Sequence, residues 1–120
     1  MVGDYPLGRQ ADVLLGGGLG FFLPNTTAGS SRKDDKDVLQ IARTKGFSVF
    51  TDRAGFDALK GGDADAAKSP YLGLFTSSHM SYEVDRVSSS EPSLLEMAKT
   101  AIKSLERMSK GQKKGYFLVC

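Results

Sequence analysis

Four short apolar runs, separated by patterns typical of helices and loops, constrain the fold of this chain most strongly. The runs are Ala11 to Leu15, Phe47 to Phe50, Tyr71 to Phe75 and Gly115 to Cys120. Strands that are apolar on both faces are typical of parallel sheets, because helices cover both faces of such sheets. The sequence therefore predicts an α/β fold with a mostly parallel sheet covered by helices.

Two short helices are predicted between the first three strands. The first is capped by Asp34 or Asp35 and ends near Lys45, where Gly46 is a typical C-cap. The second is brief and opens at residues 51–53. The remaining connections are predicted to be irregular: residues 21–31, 61–68, 77–90 and a basic turn at 110–114.

The strongest predicted element is a third helix over residues 93–108. Ser93 and Glu96 have the spacing of a capping box, in which each side chain satisfies a free amide of the first turn. An apolar stripe about four turns long follows this cap. The stripe consists of Leu94, Met97, Ala98, Ala101, Ile102, Leu105 and Met108.

Composition excludes several classes of function. One cysteine permits neither an internal disulfide nor a cysteine zinc cage, and one histidine excludes most sites that need two. The net charge of +2 comes from interspersed charges, and this balance argues neither for nor against nucleic acid. No nucleic-acid partner is expected. No apolar run approaches the roughly eighteen residues of a membrane-spanning helix. Residues 1–5 lack a signal-peptide pattern, and the compartment stays unknown.

A glycine cluster after the first strand invites a phosphate-binding interpretation, because glycine lets backbone amides approach an anion. Gly16, Gly18 and Gly20 do not have the spacing of a dinucleotide-binding turn, since Phe21 occupies the third glycine position. No Gly-Lys-Ser/Thr follows for a P-loop. A tight turn after a strand is the simpler interpretation, and phosphate binding is the alternative.

The single histidine lies in a polar stretch with two carboxylates. If residues 79–85 were extended, His79, Ser81, Glu83 and Asp85 would share one side and offer ligands to a metal. A polar loop held by hydrogen bonds is the simpler interpretation. Asn25 begins the glycosylation sequon Asn-Thr-Thr, which would matter only in a secretory compartment.

Five blocks in order resemble the alkaline phosphatase family, most closely its fungal and yeast-type enzymes. They are ADVLLGGG at 11–18, TDRAGFDAL at 51–59, YLGLF at 71–75, HMSYEVDR at 79–86 and EPSLLEM at 91–97. The resemblance extends from about Gly3 to Val119. It implies a vacuolar or secreted hydrolase of phosphate monoesters, with a phosphoserine intermediate, two zinc ions and one magnesium ion, in a large α/β sandwich.

The departures from the family pattern are equally specific. The family's nucleophile lies in an Asp-Ser-Ala motif, and no aspartate here is followed by serine. One histidine cannot supply the family's zinc ligands, and the family's next metal-binding glutamate follows the strand that matches residues 115–119. We therefore expect residues 1–120 to be one segment of that sandwich, with no catalytic, metal-binding or substrate-binding residue, no bound cofactor and no activity alone.

Two other interpretations stay open. The chain could be a self-standing α/β module that binds a small anion or a partner through the glycine turn or the His79 loop. It could also complement a second chain that supplies the active site. Because some neighbours of the sheet are expected to be missing, we further expect self-association through exposed sheet edges, with residues 115–120 as the weakest part.

Overall fold

A computed structural model describes residues 11–110 and 115–120. Its strands are β1 (Val13–Gly16), β2 (Ser48–Phe50) and β3 (Tyr71–Leu74). All pair in parallel, in the order β1-β3-β2. The α-helices are α1 (Val38–Thr44), α2 (Arg53–Asp57) and α3 (Leu94–Ser109). Short 3₁₀ turns lie at Leu19–Phe21, Lys60–Gly62 and Asp65–Lys68. The predicted α/β fold with a parallel sheet is confirmed.

The central strand β3 separates two apolar cores. Leu72 and Leu74 pack with Leu39 and Ala42 of α1 on one face of the sheet. On the other face, Tyr71 packs against side chains from α2, α3 and the segment between them, namely Phe56, Leu59, Ala67 and Met97. Alternate residues of a strand point to opposite faces, so both faces of β3 are covered by helices.

In α3 the structure confirms the predicted capping box but only part of the predicted apolar stripe. The Ser93 hydroxyl accepts from the Glu96 backbone N–H, and the Glu96 carboxylate accepts from the Ser93 backbone N–H. Met97, Ala101 and Leu105 are buried, whereas Leu94 and Ile102 are exposed and Thr100 and Ser104 are buried in their place. The stripe is displaced because α3 packs over Lys60–Gly62 and Asp65–Lys68, and because Ser104 accepts a hydrogen bond from the buried Tyr71 hydroxyl at 3.0 Å.

The start of α1 differs from the prediction. Asp37 is the N-cap, and its carboxylate accepts the backbone N–H of Gln40 at 2.9 Å. Asp34 is unsuited to that role because its two carboxylate oxygens are held by Arg32, at 2.6 and 2.7 Å. The brief helix α2 begins as predicted, with Asp52 capping the N–H of Gly55 at 2.7 Å.

Two segments that the sequence predicts to be irregular follow α2, and the structure describes all of their residues. Residues 61–68 are not wholly irregular, because most of them lie in the 3₁₀ turns Lys60–Gly62 and Asp65–Lys68. Residues 77–90 contain turns but neither helix nor strand, as predicted. Residues 111–114 of the predicted basic turn lie outside the described residues.

The prediction of a buried strand at residues 115–120 is wrong. These residues have no regular structure, and the Phe117 side chain is 88% exposed. Leu118, Val119 and Cys120 instead line a groove with side chains of β1 and α3. An apolar run becomes a strand only where backbone groups of a neighbouring strand pair with it.

We predict that the buried Tyr71–Ser104 hydrogen bond couples β3 to α3. Ser104→Ala leaves the Tyr71 hydroxyl without its acceptor and should lower the free energy of unfolding by about 1–3 kcal/mol. Adding Tyr71→Phe removes that orphaned hydroxyl, so the double variant should be more stable than Ser104→Ala alone. Urea unfolding followed by circular dichroism measures this; strictly additive losses would contradict the coupling.

Candidate functional site

The carboxyl ends of β1 and β3 meet at one edge of the sheet, which is where open α/β folds usually bind ligands. The glycine cluster follows β1 at this edge, and residues 76–80 follow β3. The structure therefore brings the glycine turn and the start of the His79 loop together. These were the two candidate sites of the sequence.

The backbone amides of the glycine turn are bonded to the chain itself. The N–H groups of Gly18, Leu19 and Gly20 donate to the carbonyls of Ser78, Thr76 and Ser77 respectively, with the last two at 2.9 and 3.0 Å. We call this set of bonds, between residues 18–20 and 76–78, the strand-end clasp. A phosphate at this turn would have to displace protein acceptors, so the geometry favours the tight-turn interpretation over anion binding.

Close approach of the two segments explains the glycines. A Cβ atom on Gly17 would lie 2.1 Å from the Ser78 carbonyl oxygen and 2.6 Å from the Thr76 hydroxyl. Gly18 has a φ of +85°, in the left-handed region that side chains disfavour. The hydroxyl of Thr76 itself donates within the turn, to the carbonyl of Ser78 at 3.0 Å.

The polar side chains of the His79 loop do not converge. The Ser81 amide and hydroxyl donate to the Glu91 carboxylate at 3.0 and 2.8 Å. Glu83 accepts two hydrogen bonds from Arg86, which also donates to the Glu91 carbonyl at 3.0 Å. His79 is exposed. The stretch is a polar loop held by hydrogen bonds, and the side chains of Ser81 and Glu83 are used in closing it.

The donor set does not fit the metal ions that the family resemblance implies. Within residues 11–110 and 115–120, no group of three or more histidine, cysteine, aspartate or glutamate side chains is arranged to hold a metal ion. Zinc sites need three or four convergent ligands. No step of a metal-dependent reaction is therefore assigned to these residues.

Arg53 joins three elements in a network that the sequence did not predict. Its guanidinium donates to Asp57 at 2.8 Å, to Glu96 at 2.7 and 3.3 Å, and to the Ser88 carbonyl at 3.1 Å. It also lies 5.6 Å from the centre of the Phe56 ring. The spacing of Arg53 and Asp57 signals their pairing on a helix. The pairing with Glu96 joins residues 43 apart, which no local pattern reveals.

Glu96 accepts hydrogen bonds from both Arg53 and Ser93. Hydrogen bonds from Arg53 and from the Ser93 amide lower the pKa of Glu96 from 4.5 to about 2. Both donors favour the ionised form, because the carboxylate accepts from each. Glu96 thus completes the cap of α3 and attaches the start of that helix to α2.

Two apolar grooves flank β1. The first, which we call the Phe21 groove, has a volume of about 440 Å³ and lies on the α1 face of the sheet. It is lined by Leu14, Gly16, Phe21, Phe22, Val38 and Leu74, among others. The second, the Leu94 groove, has a volume of about 220 Å³ and lies between β1 and α3. It is lined by Val13, Leu15, Leu94, Ala98, Leu118 and Val119, among others.

The sequon residue Asn25 is exposed on the loop before α1. Its side-chain amide donates to the Lys33 carbonyl at 3.1 Å, and its backbone N–H donates to the Asp34 carbonyl. Attachment of a glycan at Asn25 stays a prediction. None of the helices in the described part of the chain has the length and apolar character needed to cross a lipid bilayer.

Comparison with known proteins gives consistent matches. A family model described as alkaline phosphatase matches residues 2–120. An alkaline phosphatase of Schizosaccharomyces pombe is 42% identical over 98% of this chain and 22% of its own length. The repressible alkaline phosphatase of Saccharomyces cerevisiae is 36% identical over 98% of this chain and 22% of its own length.

A solved structure is similar as well. The crystal structure of Thermus thermophilus alkaline phosphatase superposes with a TM-score of 0.61 at 32% identity, over 85% of this chain and 19% of that enzyme. The chain therefore spans about a fifth of the length of the relatives that it matches.

We predict that the strand-end clasp tolerates no side chain at Gly17. Gly17→Ala should lower the free energy of unfolding by about 2 kcal/mol, because the new methyl group meets backbone rather than a movable side chain. Gly16→Ala is the matched control, since a Cβ there meets nothing within 4 Å. Urea unfolding of both variants measures the difference. Equal losses would show that close approach is not the constraint.

We predict that the ionisation of Glu96 makes the free energy of unfolding depend on pH in the acidic range. Its folded pKa of about 2 lies below the ordinary 4.5, so the stabilisation is complete above about pH 4.5 and is lost as pH falls toward 2. The expected loss is about 1 kcal/mol, well below the full shift, because the side chain is 40% exposed and solvent screens the pair.

The measurement for Glu96 is urea unfolding at several pH values between 2 and 6. Glu96→Gln should remove this part of the pH dependence, and Glu106→Gln, at an exposed position of the same helix, should leave it unchanged. Identical pH profiles for the unsubstituted protein and Glu96→Gln would contradict the assignment.

Proposed function

The chain belongs to the alkaline phosphatase family, and we propose that it is a scaffold segment of a phosphate monoester hydrolase of that family, without phosphatase activity of its own. The observation that carries the proposal is the match of one family model to residues 2–120, together with the small share of each relative that these residues represent. We propose that residues 1–120 act as one segment of the larger fold.

The described contacts support a scaffold role. The polar groups at the carboxyl edge of the sheet are used in the strand-end clasp, and the network of Arg53 joins α2 to the start of α3. The Tyr71 hydroxyl ties β3 to α3. These contacts hold a sheet and its helices in place.

The catalytic groups of the family are proposed to come from outside this segment. Zinc and magnesium, when bound in such enzymes, supply charge stabilisation and activate a nucleophile. This sequence contains no Asp-Ser-Ala motif and one histidine, and in the described residues the possible donors do not converge. No catalytic, metal-binding or substrate-binding residue is therefore proposed here.

The binding-module alternative receives less support. An anion at the glycine turn would compete with the carbonyls of residues 76–78 for the amides of residues 18–20. In the His79 loop, Ser81 is bonded to Glu91 and Glu83 is bonded to Arg86. Neither candidate presents a set of free, convergent donors in the described residues.

We predict that the purified chain, supplied with zinc and magnesium, hydrolyses an aryl phosphate no faster than buffer containing the same ions. Phosphoryl transfer needs a positioned nucleophile and stabilisation of developing charge, and the sequence has neither by motif. Release of the phenolate is followed by absorbance.

Intact alkaline phosphatase of Schizosaccharomyces pombe, assayed in the same buffer, is the positive control. Turnover that saturates with substrate, depends on zinc and survives repurification of the chain would overturn the proposed function.

A further inference from the structure

We propose that a cavity between α2 and α3 is a binding site for a small dianion that carries a phosphoryl group. The cavity, which we call the Lys60 cavity, has a volume of about 380 Å³. Its lining includes Arg53, Phe56, Lys60, Glu96, Lys99 and Thr100. It shares no residue with the strand-end clasp or the His79 loop, and the inference goes beyond the proposed function without resting on it.

The charges that line the cavity leave a positive excess. The side chains of Arg53, Lys60 and Lys99 are cationic, and those of Asp57 and Glu96 are anionic, so one positive charge remains. Arg53 pairs with both carboxylates, donating to Asp57 at 2.8 Å and to the two oxygens of Glu96 at 2.7 and 3.3 Å. The charges left for a ligand are therefore those of the two lysines.

These two lysines have no partner in the described part of the chain. Lys60 and Lys99 are exposed, and neither forms an ion pair or a side-chain hydrogen bond with residues 11–110 or 115–120. Lysines close by are paired, Lys68 with an aspartate at 2.7 Å and Lys103 with another at 2.6 Å. Two like charges beside one cavity repel each other, and an anion bound there is attracted to both.

The backbone of Lys60 is in an unfavourable conformation. Its φ is +50°, and no other non-glycine residue in the described ranges has a positive φ. Glycine adopts this conformation without strain, and the next two residues, Gly61 and Gly62, do so at +61° and +96°. Strained residues are concentrated at ligand sites. A lysine in this place therefore indicates a use for its side chain.

A buried hydroxyl adds a third donor. Thr100 lines the cavity although it is only 2% exposed, and its hydroxyl makes no hydrogen bond with the described residues. Every fully buried side-chain oxygen in those residues has a partner, so the Thr100 hydroxyl retains some accessible surface. It can donate to an oxygen of a ligand in the cavity. Two ammonium groups and a hydroxyl suit a tetrahedral oxyanion, which has several acceptor oxygens.

The turn that contains Lys60 is held firmly against α3. A Cβ atom on Gly62 would lie 2.9 Å from the Cβ atom of Lys103 and 3.0 Å from the Thr100 carbonyl oxygen. Arg107 of α3 donates to the carbonyls of Gly62 and Ala64, the second at 3.0 Å. The walls of the cavity are thus fixed before a ligand binds, which reduces the entropy lost on binding.

The test is a titration of the full ¹⁵N-labelled chain with inorganic phosphate, without added metal, at about pH 8, where phosphate is mainly a dianion. The amide resonances of Lys60, Gly61, Lys99 and Thr100 should shift together and saturate, with a dissociation constant of about 1 mM. Phenyl phosphate, titrated in parallel, distinguishes a free phosphate ion from a phosphoryl group on an ester. Sodium chloride at the same ionic strength is the control for charge screening.

Variants separate binding from stability. Lys60→Gly, Lys99→Gln and Thr100→Val should each weaken phosphate binding about fivefold, the size expected for loss of one exposed charge or one hydrogen bond. Lys36→Gln removes a charge at an exposed position outside the cavity and should change binding less than about 1.5-fold. Urea unfolding should show that Lys60→Gly and Thr100→Val are at least as stable as the unsubstituted chain, because one relieves strain and the other removes an unpartnered hydroxyl.

Saturable binding that the three cavity variants weaken supports the site, and whichever of the two ligands binds identifies its source. Shifts that rise without saturation, equal shifts with sodium chloride, or equal effects of the cavity variants and Lys36→Gln would overturn it. These failures leave the proposed function unaffected, since no hydrolysis is involved. Hydrolysis of phenyl phosphate by the chain with zinc and magnesium would instead overturn the proposed function and leave the site in place.

Discussion

Complete burial of β3 is the constraint on which the rest of the structure depends. All four residues from Tyr71 to Leu74 are buried, and β1 and β2 pair with the two edges of this strand. A strand buried on both faces needs a helical layer on each side. Helix α1 and the loops near it cover Leu72 and Leu74, and α2 and α3 cover the face of Tyr71.

Gly73 shows how closely the covering side chains approach β3. A Cβ atom at this position would lie 2.4 Å from the Phe50 ring and 2.8 Å from the Leu15 side chain. Both residues pair in register with Gly73, one from each neighbouring strand. The absent side chain therefore lets Leu15 and Phe50 pack over the centre of the sheet, in the core that contains Tyr71.

Polar contacts at the ends of the elements complete the scaffold. The strand-end clasp connects the chain after β1 to the chain after β3, and Arg53 connects α2 to the cap of α3. Both sets use groups that a binding site would need to keep available. These contacts support the proposed structural role of the segment.

The sequence by itself determined the features that depend on near neighbours: the apolar runs of β1 to β3, the cap at Asp52 and the capping box of Ser93 and Glu96.

Tertiary structure decided the rest. Arg32 binds the carboxylate of Asp34, and α1 begins at the later cap, Asp37. Helix α3 is oriented so that Ser104 meets the Tyr71 hydroxyl, which the predicted apolar stripe does not allow for. Residues 115–120 form no strand. An apolar run indicates that its side chains favour burial, but it does not indicate which neighbouring strand, if any, will pair with its backbone. The ion pair of Arg53 with Glu96 could not be predicted either, since the two residues are 43 positions apart and meet only in the folded chain.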